Sequence, residues 1–120
     1  MNIIKYGFPK RTKYGNQKTI YNGQSFMSKK EANYCHILDI LKNAKDISER
    51  VVSYKTQVPF QIEINKIKVF KYILDFEVLY ADNHIEYIDV KGYKFGPAYS
   101  MFRLKKKCVE AQYGIEIKEV

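Results

Sequence analysis

The chain has 120 residues, of which 46% are hydrophobic and 28% are charged. This length suits one domain, and the composition is that of a soluble globular protein. No apolar run is long enough to span a membrane, and the N-terminus lacks the apolar stretch of a signal peptide, so we expect a cytoplasmic protein.

The charge balance gives the first indication of function. Lys and Arg number 21 against 13 Asp and Glu, for a net charge of +8. Such an excess favours a polyanionic partner, nucleic acid before an anionic membrane, although a merely basic domain would show the same balance. Cys35 and Cys108 are far apart and are predicted to be free, buried thiols. With no cluster of Cys and His, the sequence argues against a structural zinc site.

Residues 1–17 are basic, and their Gly and Pro residues interrupt any regular element. Lys10, Arg11 and Lys13 could lie along a phosphate backbone, or the segment could be a disordered solubilising tail. We therefore divide the chain into a basic flexible arm, residues 1–17, and a single domain, residues 18–120. At the start of the domain, Asn22-Gly23 predicts a short hairpin.

The first helix is predicted to begin after Ser28. Ser28 is a favourable N-cap, and Glu31 three residues later completes a capping box. The helix should end near Lys45. Its apolar stripe is expected to comprise Ala32, Tyr34, Cys35, Ile37, Leu38, Ile40 and Leu41.

The remaining elements alternate between strands and a second helix. Strands are predicted over residues 48–56, 61–64 and 67–80, with a break or an edge at residues 57–60 and a turn at Asn65-Lys66. Further along, a basic loop at residues 92–97 leads to a helix over residues 98–113 and a closing strand. The inward face of this second helix is expected to comprise Met101, Leu104, Cys108 and Ala111. This order of elements predicts an α/β (α+β) fold.

Residues 73–92 are predicted to form a hairpin, because two runs rich in β-branched and aromatic residues flank a short polar break. Strand alternation places Tyr72, Leu74 and Phe76 towards the core. On the second run, Ile88 and Val90 are the apolar pair. If one core packs against both strands, one face then carries Asp75, Glu77, Asp89 and Lys91.

This shared face sets a condition on the turn. A tight two-residue turn would place Asp75 opposite Val90 and on the wrong side of the sheet. We therefore predict a three- or five-residue loop, or a bulge. Pairing Ala81 with Ile85, for example, would put Asp75 opposite Lys91.

Asp75 lies on the first strand of this hairpin, and Asp89-Val90-Lys91 ends the second strand. The order is an acid, a gap, and then an acid, any residue and a lysine. Here the sequence resembles the PD-(D/E)XK nuclease superfamily, in which an additional glutamate on the first helix is common, and Glu31 stands where it is expected. Leu74 replaces the proline that usually precedes the first acid, which weakens the specificity of the motif. The surrounding sequence is similar to a family of small phage-encoded proteins of this superfamily over roughly residues 14–120. The stretches that carry this similarity are residues 26–32, 75–76, 89–92, 105–107 and 113–115.

The resemblance implies a restriction-endonuclease-like core, with a mixed central β-sheet flanked by two helices. It also implies a Mg²⁺-dependent DNA endonuclease, with Mn²⁺ as a substitute, in a phage or prophage within a bacterial host cell. The substrate would be branched or recombining DNA, as for the Holliday-junction resolvases that share this fold. Paired incisions by so small a chain would require a homodimer.

The resemblance also assigns roles to residues. Asp75, Asp89 and the backbone carbonyl of Val90 would bind the metal, and Glu31 would hold it directly or through water. Lys91 would orient or activate the attacking water, or stabilise the charged phosphate. Glu77 is a weaker candidate for a supporting role. Contacts to DNA are expected from Lys10, Arg11, Lys13, Lys94, Arg103, Lys105, Lys106 and Lys107.

Each of these residues also has a purely structural explanation. Glu31 could only cap its helix, and Asp89 with Lys91 could be a surface ion pair worth at most about 1 kcal/mol. The lysines of the second helix could be a solvated face, and Tyr93, Phe95 and Tyr99 could stack on bases or fill the core. A non-catalytic DNA-binding module with a nuclease-like fold is therefore an alternative, and so is an RNA-binding or ribonuclease domain.

Overall fold

The structure, a computed structural model, describes residues 19–26, 28–92 and 94–120. The arm predicted for residues 1–17, with Lys10, Arg11 and Lys13, lies outside these ranges. No helix within them is both long and apolar enough to cross a membrane. The elements are β1 (Thr19–Tyr21), β2 (Gln24–Phe26), α1 (Lys29–Leu41), β3 (Val51–Ile64), β4 (Ile67–Tyr80), β5 (Ile85–Asp89), α2 (Pro97–Tyr113) and β6 (Ile117–Glu119).

The strands form two sheets. β1 and β2 pair as a small antiparallel sheet, and the other four lie in the order β3-β4-β5-β6. β3, β4 and β5 are antiparallel neighbours, whereas β6 runs parallel to β5 because α2 connects the two strands. The sheet is therefore mixed and the fold is α+β with two helices, as the sequence predicts.

Two of the hairpins turn on pairs of residues with positive φ. Asn22 and Gly23 have φ of 53° and 78°, and Asn65 and Lys66 have φ of 50° and 66°. Positive φ at both central residues is the geometry of the type I′ turn, whose twist matches that of the flanking strands. Both predicted turns are confirmed.

β3 is one continuous strand at the edge of the sheet, so of the two alternatives for residues 57–60 the break is wrong and the edge is confirmed. The strand is nevertheless irregular: its register with β4 shifts near both ends, and Gln57 in its middle has a φ of 54°. Thr56 pairs with Phe76 and Val58 with Leu74, which places Gln57 across from Asp75.

The even-numbered residues of β4 are buried from Tyr72 to Tyr80, as strand alternation predicts. They divide at Asp75 between two clusters of buried side chains. Phe76, Val78 and Tyr80 pack in the cluster around α1, which also contains Ala32, Cys35 and Leu38. Tyr72 and Leu74 pack in the cluster around α2, which also contains Phe60, Phe102 and Val109. The irregularity at Gln57 coincides with this change of packing partner. Leu74 and Phe76 are at most 1% exposed, and burying a side chain of this size stabilises the fold by about 1.5–3 kcal/mol.

α1 begins as predicted and ends earlier. The Ser28 side chain accepts a hydrogen bond from the Glu31 N–H at 3.1 Å, which is the predicted N-cap. After Leu41 the backbone N–H groups bond three residues back, so the chain tightens and the helix stops before Lys45. Ala32, Cys35 and Leu38 are buried, but Ile37 and Ile40 are 48% and 58% exposed and do not belong to the core.

The predicted inward face of α2 is mostly wrong. Phe102 and Val109 are the buried residues, whereas Met101 and Leu104 are 53% and 59% exposed and Ala111 is also exposed. The inward face of α2 instead contains both apolar and charged residues. It includes Phe102, whose ring contacts a lysine of the site described below. Hydrophobic periodicity does not detect such a face, because charged residues interrupt it.

The two cysteines are free thiols, as predicted. Cys35 is buried and its thiol donates to the Tyr54 hydroxyl at 3.2 Å, and burial raises the pKa of that thiol. Cys108 is only partly buried, so the prediction that both thiols are buried is correct for Cys35 alone.

Candidate active site

The β4–β5 register brings two carboxylates together. Leu79 pairs with Ile85, and the same register carried to the base of the hairpin places Asp75 opposite Asp89. The two side chains therefore share a face, as the sequence predicts. The example register was wrong by two residues, since it placed Asp75 opposite Lys91.

The loop between these strands explains the register. Five residues, 80–84, separate the last paired residues Leu79 and Ile85, which confirms the predicted five-residue connection; Tyr80 among them still belongs to β4 through its pairing with Val51 of β3. The Tyr80 N–H donates to the His84 carbonyl at 3.0 Å, and the Asn83 N–H donates to the Tyr80 carbonyl at 2.9 Å. Asn83 takes a positive φ of 75°, which closes the loop.

Asp75 is held on the backbone of the neighbouring segment. Its Oδ2 accepts a hydrogen bond from the Val90 N–H at 2.8 Å. Burial, together with the charge and hydrogen bond of Asp89 and the charge of Glu31, raises the pKa of Asp75 from 3.8 to about 8. Such a carboxyl is not readily ionised unless a cation accompanies it.

Asp89 is 3% exposed and has partners on both sides. The hydroxyl of Tyr72 donates to its Oδ2, and the ammonium of Lys91 lies 3.3 Å from its Oδ1. Burial and the charge of Asp89 raise the pKa of the Tyr72 phenol well above its ordinary value, so the phenol stays a donor. The pair of Asp89 and Lys91 is therefore not an ordinary surface ion pair.

Lys91 lies between a carboxylate and an aromatic ring. Its Nζ is 3.7 Å from the centroid of the Phe102 ring, which belongs to α2. Cation–π contacts of this kind stabilise by about 0.5–2 kcal/mol, more when water is excluded. The Lys91 carbonyl accepts a hydrogen bond from the Lys30 ammonium at 2.5 Å, which connects the start of α1 to the site.

The backbone of the lysine segment is fixed by the strand that closes the sheet. The Lys91 N–H donates to the Val120 carbonyl at 2.9 Å, and the Val120 N–H donates to the Asp89 carbonyl at 3.0 Å. Val90, between the two charged residues, is buried in the cluster around α1. The three residues of the motif are therefore held by β4, β6 and α1 together.

Glu31 lies at the first turn of α1 and is 9% exposed. Its charge is one of the smaller contributions to the raised pKa of Asp75, so its carboxylate lies within electrostatic range of that residue. Glu77, on the other hand, forms an ion pair with Lys55 at 3.8 Å and lies across from Tyr87. Glu31 is therefore near Asp75 but does not form a three-carboxylate group with the two aspartates among the described residues, and Glu77 belongs to a different contact.

A further carboxylate lies on the next strand. Glu119 pairs with Asp89 in the parallel β5–β6 ladder and accepts hydrogen bonds from the Tyr99 hydroxyl at 2.7 Å and the Lys106 ammonium at 3.1 Å. Burial opposes ionisation of Glu119, but these two donors keep its pKa below the ordinary value. Glu119 is thus a carboxylate at the edge of the site whose charge is neutralised by Lys106.

The other predicted DNA contacts differ in their surroundings. Lys94, Arg103 and Lys107 are exposed, whereas Lys106 is occupied by Glu119. Lys105 is partly buried, with its ammonium 5.6 Å from the Phe70 ring. Tyr99 packs against the cluster around α2, and Phe95 is 66% exposed.

Residues 11–119 match the family described as Protein of unknown function (DUF1064). The chain belongs to the DUF1064 family. No curated protein and no solved structure matches the chain.

The donor set of this DUF1064 chain fits a hard divalent cation. Mg²⁺ is usually held by one or two carboxylates and keeps several waters, and Asp75 and Asp89 supply two adjacent carboxylates. Within residues 19–26, 28–92 and 94–120, no three His, Cys, Asp or Glu side chains form a ready metal-binding group. Burial and the neighbouring Asp89 raise the pKa of Asp75, so without a cation the two carboxyls are not readily ionised together.

The sequence analysis assigned no role at this site to Tyr72, Phe102 or Glu119, and it named Tyr99 only as a ring that could stack on bases or fill the core. Tyr72 was correctly predicted to be buried, but its hydroxyl could not be assigned a partner. Phe102 follows Met101, which was predicted to face inward. An aromatic residue at that position is compatible with the inward or the outward face of α2, so the sequence left its orientation open. Glu119 had no signal, because parallel pairing of distant strands leaves no local pattern.

Proposed function

We propose that this chain is a metal-dependent DNA endonuclease, a deoxyribonuclease that hydrolyses phosphodiester bonds. The observation that carries the proposal is the juxtaposition of two acids and a lysine. Asp75 accepts a hydrogen bond at 2.8 Å from the N–H of Val90, which directly follows Asp89. The Lys91 ammonium lies 3.3 Å from Asp89. Two carboxylates and a lysine in one partly buried site suit phosphoryl chemistry better than a role in stability, since burying like charges is costly.

In the proposed mechanism the side chains bind the metal and position the reactants. Asp75 and Asp89 would hold Mg²⁺ or Mn²⁺, with the Val90 carbonyl and Glu31 as further ligands, Glu31 directly or through water. Such an ion would supply Lewis-acid stabilisation of the phosphate and would activate a water molecule as the nucleophile. Lys91, whose ammonium is held beside Phe102, orients the attacking water or donates to the charged phosphate oxygens.

The proposed substrate is branched or recombining phage DNA, and the proposed fold family is the restriction-endonuclease-like core. This choice rests on the resemblance of the motif and on the small size of the chain. A homodimer would supply the two sites that paired incisions require. The protein would then act in the cytoplasm of a bacterial host cell. Exposed Lys94, Arg103 and Lys107 would neutralise phosphates near the site.

The test is a cleavage assay on labelled four-way junction, duplex and single-stranded DNA and on RNA, each with Mg²⁺, Mn²⁺ or EDTA. Asp75→Ala and Lys91→Ala should abolish metal-dependent cleavage while binding of DNA persists. Matched controls are Glu77→Ala and Lys55→Ala, which remove an acid and a lysine of the same sheet that pair with each other. These two variants should cleave at the wild-type rate.

Other results would contradict the proposal. Tight binding of DNA with no cleavage under any condition would leave a non-catalytic DNA-binding module. Cleavage of RNA alone would indicate a ribonuclease. If the control variants lost as much activity, the substitutions would have acted by disrupting the sheet. Asp75→Asn keeps the shape of the side chain, and full activity in that variant would contradict the role of the Asp75 charge.

A further inference from the structure

The β3–β4 hairpin continues well past the part of the sheet that holds the site. β5 pairs only with residues 76–79 of β4, whereas β3 pairs with β4 as far as Ile64 and Ile67. We call residues 61–71 the ribbon. Asp75 and Lys66 are nine residues apart, which at the rise of a strand places the tip about 30 Å from the site.

The base of the ribbon is held firmly by α2. Gln112 and Tyr113 both donate to the Gln61 carbonyl at 2.8 Å, and the Gln112 side-chain oxygen accepts from the Glu63 N–H at 3.0 Å. These bonds fix the outer edge of β3. The ribbon is therefore anchored in a set direction relative to the rest of the sheet.

The tip of the ribbon exposes large apolar side chains. Ile64, Ile67 and Val69 are 62%, 67% and 52% exposed. An isolated exposed isoleucine needs no explanation, but three β-branched residues around one type I′ turn form an apolar patch. Such a patch indicates a surface that is covered when the protein acts.

Three lysines flank this patch. Lys66, Lys68 and Lys71 are exposed, and none of them takes part in an ion pair within the described parts of the chain. The ribbon contains one acidic residue, Glu63. The surface thus combines an apolar tip with unneutralised positive charge.

We propose that the tip of the ribbon binds in a groove of duplex DNA about one helical turn away from the bond that is cleaved. The inference deepens the proposed function and rests on it. One turn of B-DNA is about 34 Å long, close to the ~30 Å between Asp75 and Lys66. The major groove admits a two-stranded β-ribbon, and lysines at its sides then meet the phosphates of both strands.

Charge decides between DNA and the other possible occupants of this surface. A second copy of the chain would bring the three lysines and one acid of each ribbon together, and like charges repel. Residues 1–17 contain basic residues and no acid, so they too are repelled. Phosphates are the partner whose charge complements the ribbon. The ammonium of Lys105, above the Phe70 ring, extends the basic surface from the ribbon to α2.

The experiment is photo-cross-linking with the full chain. The substitution Ile67→p-benzoylphenylalanine places a reactive ketone at the tip, and end-labelled four-way junction or duplex DNA is irradiated in Ca²⁺, which supports binding while limiting cleavage. The matched control carries the same photoreactive residue at Ile40, an isoleucine of α1 that is 58% exposed. Cleavage positions are mapped on the same DNA in Mg²⁺.

We expect adducts about 8–11 nucleotides from the cleaved bond with the Ile67 variant and none with the Ile40 variant. Adducts next to the cleaved bond, protein dimers, or adducts within the chain to residues 1–17 would each overturn the inference. The nuclease proposal is judged separately by the wild-type cleavage assay. Cleavage without adducts refutes the ribbon inference alone. Adducts without cleavage refute the nuclease and with it the spacing from a cleaved bond, and leave only DNA binding by the ribbon.

The lysines provide an independent measurement. Lys66→Ala and Lys68→Ala should each weaken DNA binding about 3- to 10-fold near 0.1 M salt. Each should also lower the slope of log K against log salt concentration by about 0.9, because one phosphate contact is lost. Lys45→Ala, which removes an exposed lysine outside the ribbon, is the control and should leave the slope unchanged. Equal slopes in all three variants would contradict the inference.

Discussion

The hydroxyl of Tyr72 donates a hydrogen bond to Oδ2 of Asp89, and this bond joins the aromatic cluster around α2 to the acid of the candidate site. It leaves Oδ1 of Asp89 for Lys91, which lies 3.3 Å away. A carboxylate bonded on one oxygen has a defined orientation before any ligand arrives. Tyr72 is therefore placed to position Asp89 rather than to react.

Tyr72→Phe should weaken metal binding without unfolding the protein. Loss of one donor behind a ligand typically costs 10- to 100-fold in metal affinity, and the buried hydrogen bond is worth about 1–2 kcal/mol of stability. Calorimetric titration with Mn²⁺ measures the first effect and thermal unfolding the second. The matched control is Tyr99→Phe, which removes a phenol–carboxylate bond at Glu119 instead. Unchanged Mn²⁺ affinity in Tyr72→Phe would remove the positioning role.

Phe102→Leu should slow cleavage by about 3- to 30-fold with little change in KM, because the Lys91 ammonium loses the ring 3.7 Å away and samples other positions. Single-turnover kinetics on the best DNA substrate measures the rate. Val109→Ala, which removes a buried side chain from the same helix without touching Lys91, controls for destabilisation of α2. A rate loss as large in that variant would mean that Phe102 acts only through packing.

Glu31→Gln separates the two roles suggested for Glu31. Gln serves in a capping box as Glu does, so the helix should keep its stability, whereas the missing charge should reduce metal-dependent cleavage at least 10-fold. The converse variant is Ser28→Ala, which loses the cap at 3.1 Å and about 0.5–2 kcal/mol of stability. Ser28→Ala should still cleave DNA. Full activity in Glu31→Gln would assign Glu31 to capping alone.

The stability of the metal-free protein should depend on Asp75 in a predictable direction. Its pKa rises from 3.8 to about 8 on folding, so between these values the folded state holds a proton that the unfolded chain has released. Stability therefore falls as pH rises through this window. Asp75→Asn, which can still accept from Val90, should flatten the dependence and be more stable at pH 8 by on the order of 2 kcal/mol. Thermal unfolding in EDTA from pH 5 to pH 8 measures this, and parallel curves for the two proteins would contradict it.

Local patterns predicted the parts of the fold that local forces determine. The type I′ turns at Asn22-Gly23 and Asn65-Lys66, the cap at Ser28 and the boundaries of β4 depend on neighbouring residues, and all are confirmed. The condition on the β4–β5 loop was also correct, because side chains alternate strictly along a strand.

Long-range packing decided the features that were not predicted. Ile37 and Met101 belong to predicted apolar stripes but are 48% and 53% exposed, so local periodicity did not decide which part of each helix is buried. Phe102 faces inward because the ring has Lys91 and Tyr72 as partners, which lie far away in the sequence. For the same reason the motif identified Asp75, Asp89 and Lys91, but not the tyrosine that holds Asp89.

The parallel pairing of β5 with β6 makes the order of synthesis matter. The chain emerges from the ribosome with β4 and β5 first, so the two aspartates can meet while α2 is still being made. The backbone on either side of Val90, however, bonds to Val120, which is translated about thirty residues after Lys91. A nascent chain therefore carries both acids well before its lysine is fixed in place, and the site is completed only when residues 117–120 have left the exit tunnel.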